Sequence, residues 1–320
     1  MDRYGMSLPL DLPLTEHREA LREMVDLGYT DFWSSEANGA DGFTPLALAA
    51  AWAPEARLGV AIIPAYTRGP ALMAMSVAAM AEAAPDRFVM GIGTSSNVIV
   101  QNWNDISFDR PYYKTRDMVR FLRKALANEK VSEEFDTFEI KGFRLGRPLA
   151  KPPKILVAAL RQGMLKMAGR ESDGAILNWL SPEDTKKVVQ YVHEGGPGKE
   201  IVARIFVIPS DDRDVVRTIG RRAVAAYLNV PVYAAFHEWL GRGEQLAGMW
   251  ESWKAGDRKE ALERIPDEVI DAVIVHGTPD ECRERIREYQ ECGIDTPALS
   301  LMGVPPEKLM ETIRALAPTG

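Results

Sequence analysis

Short apolar runs alternate with helix-length segments along almost the whole of this chain, and few folds accommodate that rhythm. Apolar runs at residues 4–8, 31–35, 57–63, 87–92, 154–159, 173–178, 201–208 and 298–302 predict strands. Helix-like segments at 15–27, 45–52, 70–84, 111–127, 163–170, 182–193, 211–228 and 305–317 follow them in turn. A further helix at 278–292 opens on Thr278-Pro279-Asp280-Glu281, the pattern of a capping box. Strands separated by helices can join only a parallel sheet that the helices cover. Eight such units predict a (β/α)8 TIM barrel with insertions, in the α/β class. An open dinucleotide-binding sheet would carry a complete Gly-x-Gly-x-x-Gly after its first strand. Here Gly91-Ile92-Gly93 follows the fourth strand, and Ser96 stands where the third glycine belongs.

Two stretches break the rhythm within what reads as one domain over residues 1–320. Near 128–150, residues 135–145 alternate like a hairpin, with Lys141-Gly142 as its expected turn. Near 230–275 lies an irregular helical stretch carrying Trp239, Trp250 and Trp253, expected to be core, with one of them able to wall a pocket.

The hydrophobic fraction of 46% over 320 residues suffices for a barrel of about 250 residues plus these insertions. A net charge of -7 without a dense Lys/Arg block argues against nucleic acid as a partner. No apolar run reaches the roughly 20 residues that cross a bilayer. Met1-Asp2-Arg3-Tyr4-Gly5 lacks the order of a secretory leader. Cys282 and Cys292 have neither metal-ligand spacing nor a nearby histidine, so two reduced thiols and a cytoplasmic location are expected, with no metal site.

In barrels of this kind the active site lies at the carboxyl ends of the strands. Those ends read Ser35-Glu36, Ala61-Ile62-Ile63, Gly91-Ile92-Gly93-Thr94-Ser95, Ala158-Ala159-Leu160, Asn178-Trp179, Pro209-Ser210 and Met302-Gly303. They hold one carboxylate, no histidine and no cysteine, so neither a metal cage nor a Ser-His-Asp triad can be assembled from them. Small rims with exposed backbone amides suit a flat cofactor that brings its own chemistry. Glu36 is the candidate catalytic residue: buried beside a ring, a carboxyl's pKa rises and fits it to pass protons. His276 is a second candidate to face the pocket, whereas His17, His193 and His237 are expected on helix surfaces or insertions.

Several of these segments together resemble a known family. Gly28-Tyr29-x-x-Phe32-Trp33-x-Ser35-Glu36, Leu58-Gly59-Val60-Ala61-Ile62-Ile63-Pro64 and Gly91-Ile92-Gly93-Thr94-Ser95-Ser96 carry the likeness. Ala168-Gly169-x-x-x-Asp173-Gly174 and His276-Gly277-Thr278-Pro279-Asp280-Glu281 continue it. In this order they resemble the bacterial luciferase-like superfamily, and within it the branch that uses the deazaflavin coenzyme F420, with FMN as the alternative.

The resemblance implies a non-prolyl cis peptide at Ala61–Ile62 that props the back of the cofactor ring. It places the Gly93-Thr94-Ser95 turn at the ring's polar edge and ribityl chain, with Gly91 also among the cofactor-binding residues. It places Ala158, Ala159 and Leu160 along the path to the phosphate, and Asn178 and Trp179 at the phosphate end. The helix start near Gly163 would favour the phosphate's charge. The implied activity is hydride transfer between the deazaflavin C5 and a small organic substrate, in a homodimer. An FMN monooxygenase, or a deazaflavin-binding protein without catalysis, stands as the alternative. One departure is visible: several deazaflavin enzymes place Asp-His after the second strand, where this chain reads Glu36-Ala37.

Overall fold

Eight parallel strands close into a barrel in the computed structural model, which describes residues 3–318. They are β1 (Gly5–Leu8), β2 (Asp31–Ser34), β3 (Arg57–Val60), β4 (Phe88–Gly93), β5 (Lys154–Ala158), β6 (Gly174–Asn178), β7 (Glu200–Ile208) and β8 (Thr296–Leu301). Each pairs with the next, and β8 returns to β1 through Gly5 opposite Ala298 and Met6 opposite Leu299. Met1 and Asp2, part of the segment read for a leader, lie outside the described residues. No helix among the described residues is long and apolar enough to cross a membrane.

Strand alternation sends one set of side chains inward and the other against the helices. Trp33, Val89, Leu156, Ile176, Val202 and Ala298 form the inner plug. Room for the Trp33 indole comes from Gly59 on the neighbouring strand, where a Cβ would meet the ring at 2.2 Å. The expected strand over 57–63 is split. β3 stops at Val60, the Ala61–Ile62 peptide is cis, and Ile63–Pro64 then pair with Ile92 and Gly93 of β4.

The first insertion does hold a hairpin, but it pairs Val131–Glu134 with Glu139–Phe143 rather than spanning 135–145, and its turn is not at Lys141-Gly142. The chain reverses over residues 135–138, where the Phe135 N–H donates to the Phe138 carbonyl at 2.8 Å. The Phe135 and Phe138 rings lie 4.9 Å apart and both pack on Phe121, so an apolar anchor fixes the reversal. Gly142 instead takes φ +73° inside the second strand, where the pairing register shifts.

Between β7 and β8 the second insertion runs through helices Pro231–Leu240, Gly243–Lys254, Arg258–Glu263 and Asp267–Val273. It ends in an unexpected strand, Ile274–His276, which pairs with the last three residues of β7. Helices of this region gather a second core around Trp179, Phe206, Leu228, Met249 and Ile270.

His17 and His237 are buried rather than on a surface. Burial, helped by the nearby Arg242 cation and opposed by Asp184, pushes the His237 imidazole down to about 4 from 6.5. An imidazole kept neutral in the fold stabilises fully above its unfolded value. That contribution fades as the pH falls from 6.5 towards 4, because the unfolded chain then takes the proton first. The span corresponds to about 3 kcal/mol at 1.36 kcal/mol per pH unit. In urea titrations at stepped pH, His237→Met is expected to flatten the stability slope between pH 6.5 and 5. An unaltered slope would assign the dependence to another group.

Candidate functional site

At the carboxyl ends of the strands the barrel opens into a cavity of about 990 Å³. Its wall brings together Glu36, Ala61, Ile62, Thr94, Ser95, Ala158, Ala159, Leu160, Gly163 and Asn178, contributed by the ends of β2 to β6 and the helix after β5. Three candidate residues lie outside the wall. Gly91 is wedged against β3, where a Cβ would meet the Val60 carbonyl oxygen at 1.8 Å. Gly93 sits between Ala158 and Ile62, again with no space for a Cβ. Trp179 turns into the second core and stacks on Phe206 at 4.1 Å between ring centroids.

The ends of β7 and β8 do not reach this cavity either. Pro209, Ser210, Met302 and Gly303 line a separate cavity of about 380 Å³. Pairing of residues 206–208 with the added strand carries the tip of β7 past the barrel rim. His276 is also directed elsewhere, with its Nε2 2.8 Å from Asp271 Oδ1.

Glu36 is heavily engaged. Arg68 Nη1 lies 2.6 Å from both carboxylate oxygens, Thr67 Oγ1 donates at 3.2 Å and the Gly42 N–H at 3.1 Å. Glu36 and Arg68 expose only 15% and 17% of their side chains, so the pair is poorly screened by water. Arg68 was not singled out from the sequence, although its place just beyond Ile63-Pro64 puts it on the loop face of the barrel.

After β4 the chain turns through Ser95 at φ 61° into a π-helix, Val98–Trp103, a rare geometry often found at functional sites. Val98, Ile99 and Trp103 extend the wall from it, and Tyr112, Trp239 and Trp253 add aromatic faces. Trp250 instead donates its indole N–H to the Leu228 carbonyl, in the second core.

Helix Gln162–Glu171 begins at the cavity wall without a side-chain cap, its N-cap Arg161 extended at ψ 166°. The first backbone N–H groups of such a helix have no partner within it, and the dipole favours an anion there. Space beside Gly163 is open. Farther round, Asn178 Nδ2 donates to Tyr233 Oη at 3.1 Å, and Arg204 Nη2 donates to Ser300 Oγ at 2.9 Å. Residue types and space fit a flat ring with a phosphorylated side chain: small residues on one flank, an uncapped helix start beyond, aromatic side chains on other flanks. Among the described residues no group of three or more His, Cys, Asp or Glu could hold a metal ion. Both cysteines are free, and burial pushes the Cys282 thiol up to about 12.

Residues 3–296 match the family model described as luciferase-like monooxygenase. The chain belongs to the luciferase-like monooxygenase family. It is 24% identical to a Mycobacterium tuberculosis protein named for the coenzyme F420-dependent oxidoreductases, over 91% of this chain and 93% of that protein. It is 25% identical to 5,10-methylenetetrahydromethanopterin reductase of Archaeoglobus fulgidus, over 91% of each chain. The solved coenzyme F420-dependent tetrahydromethanopterin reductase of Methanopyrus kandleri superposes with a TM-score of 0.79 at 20% identity, over 99% of this chain and 98% of that one. That likeness shows that this luciferase-like protein shares the reductase's barrel fold.

Proposed function

We propose that this luciferase-like oxidoreductase binds coenzyme F420 and moves a hydride between the deazaflavin and a small organic substrate. The observation that carries the reading is the convergence of ten candidate residues, from five strand ends and the helix after β5, on one cavity wall. The names of the relatives above favour the deazaflavin over FMN. When bound, the deazaflavin donates or accepts the hydride at C5 and, lacking N5, disfavours oxygen chemistry.

The chain's part is placement. Ala61 and Ile62 would support the back of the ring, and Thr94 and Ser95 would meet its polar edge. Ala158 and Ala159 are small enough to let the cofactor's side chain pass, with Leu160 beside them on the wall. The start of Gln162–Glu171 would take the phosphate. Tyr112, Trp239 and Trp253 would screen the reacting face from water, which strengthens the electrostatics inside.

Glu36 is the proposed proton relay, at the wall and held by Arg68. Glu36→Gln keeps the shape but can neither carry the charge nor pass a proton, so turnover is expected to fall about 10²-fold. Turnover unaltered across pH would remove the assignment.

Fluorescence titration of the purified protein with F420, and separately with FMN, tests the cofactor. Saturable F420 binding in the micromolar range or tighter, with FMN at least tenfold weaker, is the expected result. Tight FMN binding with oxygen uptake would replace this reading by a monooxygenase.

A further inference from the structure

We propose that Arg204 and Tyr233 form an anion-binding pair on the substrate side of the cavity, and that the substrate carries a carboxylate. Which side belongs to the substrate rests on the deazaflavin reading above.

Arg204 interrupts the apolar run of β7 at the inward-facing parity of Val202, which belongs to the inner plug. In the ring of eight strands β7 stands four places from β3, so Arg204 faces Ala61 and Ile62 across the cavity. A ring resting on Ala61 and Ile62 therefore leaves its open face toward Arg204. The uncapped helix start follows β5, two strands away from β7, so the phosphate is assigned to that helix start and not to Asn178, which the family resemblance placed at the phosphate end.

The guanidinium is short of acceptors. Its Nη2 donates to Ser300 Oγ and its face lies 5.0 Å from the Phe206 ring centroid. Nε is buried without a hydrogen-bond partner, and no carboxylate among the described residues pairs with Arg204. A cation facing a largely apolar cavity without a counter-charge is costly unless a ligand provides one.

Tyr233 adds a second donor. Its oxygen accepts from Asn178 Nδ2, which leaves the hydroxyl proton free to donate, and no described residue receives it. Arg204 and Tyr233 both line the cavity, and Asn178 links them: it is the register partner of Arg204 on β6, and its Nδ2 reaches Tyr233 Oη at 3.1 Å. Guanidinium donors and a phenol hydroxyl on either side of Asn178, with no carboxylate among the described residues paired to Arg204, match the two oxygens of a carboxylate. A neutral ketone or alcohol would leave the charge unpaired.

Calorimetric titration of the F420-loaded protein with hexanoate, hexanamide and inorganic phosphate tests the pair. Hexanoate is expected to bind at least tenfold more tightly than hexanamide. Arg204→Met should abolish that preference, Tyr233→Phe should cut it threefold or more, and both should leave F420 affinity within twofold. Arg204→Lys, which keeps the charge but not the fork, should retain part of the preference and serves if the methionine variant fails to fold.

Equal binding of acid and amide by the unaltered protein would overturn the proposal. So would an Arg204→Met variant, or Arg204→Lys in its place, that loses F420 and inorganic phosphate rather than hexanoate, since the cation would then belong to the cofactor's phosphate. An Arg204-dependent hexanoate preference in protein that binds no F420 would support the pair and end the deazaflavin reading. F420 binding without any carboxylate preference would end the pair alone.

Discussion

Arg57→Met is expected to lower the unfolding free energy by about 3 kcal/mol or more, the scale of breaking a buried ion pair by removing one partner. Asp31, Arg57, Lys154 and Glu200 are the opening residues of β2, β3, β5 and β7, and they meet beneath the barrel. Arg57 Nη1 lies 2.5 Å from Glu200 Oε1 and 3.4 Å from Asp31 Oδ1, with the Asp31 side chain fully buried. Arg3 and Lys154 also touch the two carboxylates but are about half exposed, so they cannot replace Arg57.

Burial works against the Glu200 charge, yet the Arg57 and Lys154 cations prevail and hold its carboxyl below the usual 4.5. A depressed carboxyl stabilises the fold fully above its unfolded value, and that stabilisation is lost as the pH falls through the lower folded value. Chemical denaturation of both proteins at pH 7 and below 4.5 measures this. A loss below 1 kcal/mol at pH 7, or the same loss at acid pH, would contradict the account. Because the cluster lies at the amino-terminal face, cofactor affinity per folded molecule should be unaffected.

Gly91→Ala is expected to cost about 3 kcal/mol or more, the upper part of the range for overpacking. The added Cβ would lie 1.8 Å from the Val60 carbonyl oxygen and 2.5 Å from Ile176 Cδ1. A backbone oxygen cannot rotate away as a side chain can, so β3 and β4 must separate. Val60 leads directly into Ala61 and Ile62, so the same shift deforms the cavity wall and F420 affinity should fall with stability. Gly163→Ala is the control: nothing lies within 4 Å of its Cβ position, and alanine favours the helix, so stability should hold or rise slightly. Melting temperatures of the two variants compared side by side decide the matter, and equal effects would refute the packing role of Gly91.

The barrel was legible because each strand keeps an inward and an outward face that the helices complete, and short apolar runs record both. The small-residue flank of the cavity was legible for a related reason: residues such as Ala158 and Ala159 follow directly on a strand, so their height in the barrel is known from order alone. Position relative to distant segments was not. Arg68 and Tyr233 reach the cavity from a loop and an insertion, and no local pattern gives their direction. Arg204 did leave a signal, a single cation at inward parity within the apolar run 201–208. The hairpin reversal was misplaced because Gly142 marks a shift in register while two phenylalanines fix the turn. Trp179 follows Asn178 at a strand end, but its φ of 54° swings the indole away from the rim.

The proposed substrate flank and the proposed cofactor flank are built on different foundations. Tyr227 belongs to a helical annex packed around Phe206, Leu228 and Met249, and Tyr233 packs against that annex too, whereas Ala61 and Ala158 sit on the barrel's own plug. Selection can therefore remodel what the enzyme accepts through changes in the annex while the cradle for the ring stays intact. Relatives on this scaffold would be expected to diverge in substrate much faster than in coenzyme.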